Sequence, residues 1–317
     1  MILPKIGVTL GDPGGIGPEV VLKALSSEVI LKKAHYLIFG SSSIIDQERK
    51  NLRINFNIGN NISLIDLAPS VGKIKRGRPE ENNGRISFLF FEKAVQEAVK
   101  GNIKAIVTAP ISKKSWQLAG YNYLGHTNYL AESFPEAIMS FWSEELRVIL
   151  YTTHLPLKEV VKKIKKKRLV SFIQSVERGL KKLGLKDYEF LIASLNPHAG
   201  EEGVLGLEEN EEIVPAIKEA QKKGIKIKGP FSPDTIFLKA YRKPDKIVIS
   251  LYHDQGLAPF KLIAFQKGVN FTLGLPFIRT SPTHGTGFEI AGQGIADPTS
   301  MIEAINLATK LSVSAFN

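Results

Sequence analysis

The chain contains no cysteine among its 317 residues. Disulfides and thiolate nucleophiles are thereby excluded, and any bound metal must be held by nitrogen and oxygen. No apolar run approaches the roughly 20 residues that a membrane-spanning helix needs. The opening stretch, Met1-Ile-Leu-Pro-Lys-Ile-Gly-Val-Thr-Leu10, lacks a basic segment followed by an apolar core and a small-residue cleavage site. No secretory signal is expected, and a cytoplasmic location is the simplest expectation. There is no repeat and no low-complexity linker. The first glycine loop, Gly11-Asp-Pro-Gly-Gly-Ile-Gly-Pro-Glu19, is not Gly-x-Gly-x-x-Gly and is followed by no P-loop lysine. The Rossmann fingerprint is therefore absent.

What is present reads as a globular protein. Hydrophobic residues make up 43% and charged residues 23%, a balance that argues against disorder. The length predicts two lobes rather than one. Net charge is +11, from 42 Lys+Arg against 31 Asp+Glu. Much of the excess lies in Lys162-Lys163-Ile-Lys165-Lys166-Lys167-Arg168. Such runs can bind nucleic acid. This one has no interleaved aromatics and no nucleic-acid motif beside it, so it reads as the solvated face of a helix. A basic balance also suits an enzyme for anionic metabolites.

Apolar runs and helical stretches alternate. Strands are predicted at Ile6–Leu10, Tyr36–Phe39, Ala105–Val107, Arg147–Tyr151, Phe190–Ala193 and Lys246–Ser250. Helices are predicted at Pro18–Leu25, Arg85–Lys100, Leu169–Lys182, Asn210–Lys223 and Pro298–Leu311. Alternation of this kind predicts α/β layers with a mostly parallel sheet. Ligands in such folds bind at loops beyond the carboxyl ends of the strands.

Three of the six histidines follow predicted strands. They are His154 in Tyr151-Thr-Thr-His-Leu-Pro, His198 in Asn196-Pro-His-Ala-Gly and His253 in Leu251-Tyr-His-Asp-Gln-Gly. Imidazole is the commonest protein ligand for zinc and related ions, and three ligands leave positions open for water or substrate. Glu201, Glu202 and Asp254 adjoin two of them and suit either direct binding or orientation of the rings. Each histidine taken singly is more often a cap or a satisfied surface residue. Their shared position after a strand is what groups them. His35 precedes a strand and reads as structural. His126 opens a predicted helix in Gly125-His-Thr-Asn128, where either anion binding or ordinary capping by Thr127 or Asn128 fits. The first glycine loop suits a close backbone approach to a ligand or a tight turn with Pro18 at the first helical position. The second runs from Arg279 through His284-Gly-Thr-Gly to Asp297-Pro298. It is long, rich in small residues and suited to wrapping a nucleotide.

Together with Thr108-Ala-Pro-Ile-Ser-Lys113, Gly229-Pro-Phe-Ser-Pro-Asp-Thr235 and Gly268-Val-Asn-Phe-Thr-Leu-Gly-Leu-Pro-Phe-Ile-Arg-Thr-Ser281, these stretches resemble the 4-hydroxythreonine-4-phosphate dehydrogenase family. The resemblance is collinear over nearly the whole chain. The His284-Gly-Thr-Gly to Asp297-Pro298 segment also resembles the cofactor loop of isopropylmalate and isocitrate dehydrogenases. The resemblance implies a two-lobed α/β/α fold of the isocitrate/isopropylmalate dehydrogenase-like type with its active site in the cleft. A cofactor-side lobe of 1–125 plus 275–317 and a substrate, metal and dimerisation lobe of 126–274 are expected. It implies a homodimer whose sites are shared, with one histidine of each metal site from the partner. The implied metal ligands are His154, His198 and His253, holding zinc, magnesium or cobalt. Substrate contacts fall on His126, Thr127, Lys261, Asn270 and Arg279. Asp234 and Asp254 are the implied functional acids, and His284, Gly285, Thr286 and Gly287 contact NAD or NADP. The implied reaction oxidises 4-phosphooxy-L-threonine to 2-amino-3-oxo-4-phosphooxybutanoate, which loses CO2 to give 3-amino-2-oxopropyl phosphate on the way to pyridoxine 5'-phosphate. The chain departs from the family pattern in having Gly14 for Ala, Thr283 for Asp and Gly287 for Ala. The changes beside His284 bear on the nucleotide rather than on the metal or substrate positions.

Three alternatives stay open. A paralogue with the same histidines would act on phosphothreonate, phosphoerythronate or a cyclic dihydrodiol. A metal-dependent hydrolase would use three histidines to generate hydroxide, although hydrolysis needs no dinucleotide loop. A non-catalytic nucleic-acid binder would use the Lys162–Arg168 run. No nucleic-acid or membrane partner is expected from the main reading.

Overall fold

In this computed structural model residues 3–59, 61–72 and 74–314 are described. Numbered along the chain, the strands are β1 (Lys5–Thr9), β2 (His35–Gly40), β3 (Ile62–Asp66), β4 (Ala105–Thr108), β5 (Ile138–Trp142), β6 (Arg147–Leu150), β7 (Glu189–Ala193), β8 (Ile227–Phe231), β9 (Lys246–Ser250), β10 (Val269–Leu273) and β11 (Ile278–Pro282). Two compact units form, Met1–Pro135 with Leu275–Asn317, and Glu136–Gly274. The chain passes between them after Pro135 rather than after Gly125. Helix His126–Ser133 stays in the first unit because His126 packs against Phe91 and Trp116 there.

In the first unit the strand order is β3-β2-β1-β4-β11, and every neighbouring pair is parallel. Strand β4, Ala-Ile-Val-Thr, is buried at all four positions, as expected for a strand covered on both faces. Helix Glu81–Val99 crosses close to helix Lys113–Leu118. A methyl group on Gly84 would lie 1.9 Å from the Ser115 carbonyl oxygen, so the contact is backbone against backbone. The last helix, Thr299–Ser314, covers the sheet with Met301, Ala304, Ile305 and Ala308.

The second unit has the order β10-β5-β6-β9-β7-β8. Strand β5 runs antiparallel to both of its neighbours, β10 and β6, and β6, β9, β7 and β8 are mutually parallel. Helix Lys166–Lys182 buries Leu169, Val170, Ile173, Val176 and Leu180, a one-sided stripe at helical spacing. Helix His253–Ala264 turns Leu257, Phe260 and Ala264 into the core made by β5, β6 and β9. It lies close to β6 because residue 256 is glycine. An added methyl there would meet Val148 and Leu150 at 2.8 Å.

Candidate active site

The parallel strands β6, β9 and β7 are neighbours, and their carboxyl ends lead to His154, His253 and His198 respectively. His253 is the first residue of its helix rather than a loop residue. The His154 and His253 rings lie 5.6 Å apart, centroid to centroid. His253 Nδ1 donates to Asp254 Oδ1 at 2.6 Å. With that proton assigned to Nδ1, Nε2 keeps its lone pair for a metal. This pair fits one divalent ion. His198 does not complete the set within one chain: among the described residues no three such side chains gather in metal-binding geometry.

His198 sits on an unusual turn. Five successive residues from His198 to Glu202 have positive φ, at 49, 55, 77, 41 and 56°. Four are not glycine, and each costs about 1–2 kcal/mol in the left-handed region. Glu209, which the sequence reading did not single out, lies behind the turn and is 1% exposed. Its Oε1 accepts the Leu195 and Asn196 backbone N–H groups at 2.8 and 2.9 Å, and its Oε2 accepts the Asn196 side-chain amide at 2.8 Å. Hydrogen bonds to a charged acceptor contribute about 1.5–3 kcal/mol each, enough to offset much of the strain. Buried Gln255 ties the same loop to the neighbouring one. Its Nε2 donates to the Ser194 carbonyl and its Oε1 accepts the Leu251 N–H, both at 2.7 Å. The Leu251 carbonyl in turn accepts the Thr152 hydroxyl. The backbones leading to all three histidines are thus linked. The only sequence signal for Gln255 was its place beside His253, and for Glu209 there was none.

Asp234 is exposed on the turn after β8. The Ser232 hydroxyl holds its carboxyl below the usual range, with a further contribution from the nearby His198 imidazole. Lys261 is exposed on helix His253–Ala264, two turns or about 12 Å along the axis from His253. Asn270 is half-buried on β10, and its Oδ1 is enclosed without a hydrogen-bond partner.

In the first unit Arg279, 2% exposed on β11, donates through Nε and Nη2 to the Thr108 hydroxyl at the end of β4. Its Nη2 also donates to His126 Nδ1 at 3.2 Å. Burial pulls the guanidinium down to about 10, so it stays charged at neutral pH. Burial, and secondarily the Arg279 charge, push His126 well below its ordinary value. The ring is therefore neutral. Because its Nδ1 accepts, its proton belongs on Nε2, a buried donor with no protein partner. One positive charge and one unmet N–H suit an anionic ligand. Gly125 occupies the cap position of this helix and no side chain caps it, so the capping role considered for Thr127 and Asn128 is not taken. Thr127 is half-buried beside His126.

The two glycine loops meet in this unit. The Ile16 N–H donates to the Thr286 carbonyl at 2.8 Å, and a methyl on Gly15 would come within 2.5 Å of that oxygen. Buried Glu19 accepts the Ala296 N–H, while Lys23 bonds Glu19 and the carbonyls of Gly294 and Ala296. Two of the departures from the family pattern, Gly14 and Gly287, have local reasons. A methyl on Gly14 would press on the Asn83 amide at 2.4 Å. Gly287 is left-handed, at φ 52°, with the Ile16 side chain 2.9 Å from where a methyl would sit. Nothing in the structure explains Thr283: its backbone N–H donates to Ser300, a bond that an aspartate would also make. His284 Nδ1 faces the Gly285 carbonyl, and its Nε2 is buried without a partner. A Cβ on Gly285 would meet nothing within 4 Å. Bare backbone and an unmet imidazole nitrogen fit a nucleotide. By contrast, Lys162, Lys165 and Lys166 of the basic run pair with Glu159, Glu212 and Glu219.

These features define an α/β architecture with ligand-suited loops at the carboxyl ends of parallel strands. The fold is shared with the isocitrate dehydrogenase of Methylococcus capsulatus, at TM-score 0.54 and 12% identity over 99% of this chain and 88% of that one. Within that architecture the chain belongs to the family of the pyridoxal phosphate biosynthetic protein PdxA, whose model matches residues 21–308. A 4-hydroxythreonine-4-phosphate dehydrogenase of Sulfurihydrogenibium sp. (strain YO3AOP1) is 41% identical, over 97% of this chain and 98% of the relative. A protein of Oceanobacillus iheyensis, provisionally named D-threonate 4-phosphate dehydrogenase, is 38% identical over 98% of both. The crystal structure of a 4-hydroxythreonine-4-phosphate dehydrogenase from Burkholderia phymatum superposes with TM-score 0.84 at 34% identity, covering 98% of this chain and 99% of that one. The chain is an oxidoreductase of this family, and the family implies a nicotinamide cofactor.

Proposed function

We propose that the protein is a metal-dependent 4-hydroxythreonine-4-phosphate dehydrogenase that uses NAD or NADP. The observation that carries this reading is the His154–His253 pair with Asp254 on Nδ1, a nitrogen donor set at the carboxyl ends of parallel strands. His198 of a second copy completes the ligand set. Zinc, magnesium or cobalt bound there would lower the pKa of the substrate C3 hydroxyl and polarise the new carbonyl. A nicotinamide nucleotide held at the His284–Gly287 loop would supply the hydride acceptor, so that oxidation of the C3 alcohol to a ketone would be balanced by reduction of the nucleotide, with the hydroxyl proton passing to solvent or to a carboxylate.

The chain's own residues bind and orient. Arg279 supplies permanent charge for the phosphate, His126 Nε2 and Thr127 add directional donors, and Asn270 and Lys261 take the remaining polar groups of the substrate. Asp254 fixes the His253 tautomer. Asp234, held ionised beside His198, suits the substrate ammonium group. His284 to Gly287 face the nucleotide. Pairing of two copies is supported by exposed apolar residues: Leu155 and Leu157 after His154, Val204 (80% exposed) and Leu207 after His198, and Leu262 (88% exposed) near the far end of the helix that His253 opens. Among the described residues no helix is long and apolar enough to cross a membrane, and we place the enzyme in the cytoplasm.

The test is His198→Ala, assayed for bound metal and for NAD reduction with 4-phosphooxy-L-threonine. Loss of metal and a fall in turnover of at least a hundredfold are expected; wild-type values would sink the assignment. The relative named for D-threonate 4-phosphate favours a second reading, in which the substrate carries a hydroxyl in place of the amine. A substrate panel decides between them. An inert threonine phosphate beside a turned-over threonate phosphate would replace the first reading with the second.

A further inference from the structure

We infer that Glu209 is a positioning residue for the metal site, and that it sets metal affinity by holding the left-handed turn that presents His198. The inference rests on the reading of His198 as a ligand. Glu209 opens the segment Glu209–Ile213, eleven residues after His198 in sequence. Its carboxylate lies inside the turn rather than on its surface. One oxygen takes the backbone amides of Leu195 and Asn196, and the other takes the Asn196 side chain. Glu208 holds the same side-chain amide from its other side. Gly200, the one glycine in the run from His198 to Glu202, packs directly on this carboxylate: a methyl there would lie 2.8 Å from Oε2. The turn is therefore wrapped around the carboxylate. The Leu205 N–H closes it by donating to the Gly200 carbonyl.

This arrangement has a consequence for His198, which projects exposed from the turn. Among the described residues its imidazole has no hydrogen-bonded anchor of the kind that Asp254 gives His253, so its direction is inherited from the backbone. Left-handed backbone in non-glycine residues does not persist unless the surroundings impose it. Here the imposing group is the Glu209 carboxylate. Groups behind a metal ligand typically govern affinity by ten- to a hundredfold when removed. Glu209 also lies in the second unit, remote in sequence from the His284–Gly287 loop, so nucleotide binding is not expected to depend on it.

The experiment uses the full chain, stripped of metal with a chelator and titrated with Co(II) alone by calorimetry and visible absorption. Glu209→Gln, His198→Ala and Asn196→Ala are compared with the parent. Glu209→Gln keeps the size of the side chain but places an NH2 group among N–H donors. Its Co(II) Kd is expected to rise about ten- to a hundredfold, its d–d bands to shift, and its KM for the nicotinamide nucleotide to stay within twofold. If that variant does not fold, Asn196→Ala carries the test, with a smaller rise expected in the same direction. Co(II) affinity and spectrum unchanged in the folded Glu variant, with His198→Ala impaired, would overturn this inference alone. Wild-type Co(II) binding by His198→Ala would overturn the ligand assignment and this inference with it.

Discussion

His126 shows how one buried residue couples folding to the substrate site. Its folded pKa lies well below the ordinary value of 6.5, first from burial and then from Arg279. Above pH 6.5 the residue is neutral in both folded and unfolded chains. As pH falls below that, the unfolded chain takes up a proton that the folded one refuses. Stability is therefore lost on acidification, by up to about 1.4 kcal/mol per pH unit from this residue. His126→Gln is neutral throughout and removes the effect. Urea midpoints measured from pH 7.5 to 5.5 are expected to fall more steeply for the parent than for the variant. Parallel pH profiles would show that the ring titrates normally. The neutral ring would also matter in the proposed substrate site. With Nδ1 accepting from Arg279, the Nε2 proton would be the one offered to a phosphate, at pH values where a surface histidine would have changed charge.

At the scale of elements, Gly84 sets intrinsic preference against packing. It lies inside helix Glu81–Val99, where replacement by alanine gains about 1 kcal/mol from propensity alone. The added methyl, however, would sit 1.9 Å from the Ser115 carbonyl oxygen and 2.9 Å from the Trp116 nitrogen. Both are backbone atoms and cannot swing aside, and overpacking of this kind costs about 1–3 kcal/mol. Gly84→Ala is expected to lower the melting temperature; an increase would mean that the two helices slide freely. The same contrast explains what was legible. Strands β1, β2, β4, β6, β7 and β9 were readable because they are short, nearly all-apolar runs buried on both faces. Strands β5 and β10 were not, since Ser140, Asn270 and Thr272 interrupt the pattern, and the Ser140 hydroxyl donates to the carbonyl of Phe271, its cross-strand neighbour 131 residues on in sequence. Helix His253–Ala264 was hidden by Gly256 and Pro259, yet Gly256 is what lets it reach β6. The loop positions of His154 and His198 followed from the strands before them. Glu209 and Gln255 could not be found in that way, because their partners are fixed by folding and not by spacing.

For the whole molecule, the proposal to test is that two copies together complete the metal site, with His198 of one beside His154 and His253 of the other. Leu262 is 88% exposed on the helix that begins with His253. A leucine that a monomer would leave in water gains about 1.5–3 kcal/mol when fully buried. Leu262→Glu keeps the helix, since both residues are good helix formers, but places a charge where the second copy is expected to pack. Sedimentation should then shift from dimer towards monomer as the protein is diluted, and bound metal should fall in proportion to the monomer fraction. Raising the protein concentration should restore both together. A variant that stays monomeric while holding one metal per chain would mean that His154 and His253 suffice without His198 of a second copy. A variant that stays dimeric would place the interface elsewhere on the surface. Only the coupled loss fits a site that assembles with the dimer. It would also explain why His198 is carried outward on a strained, exposed turn instead of being packed beside the other two histidines of its own chain.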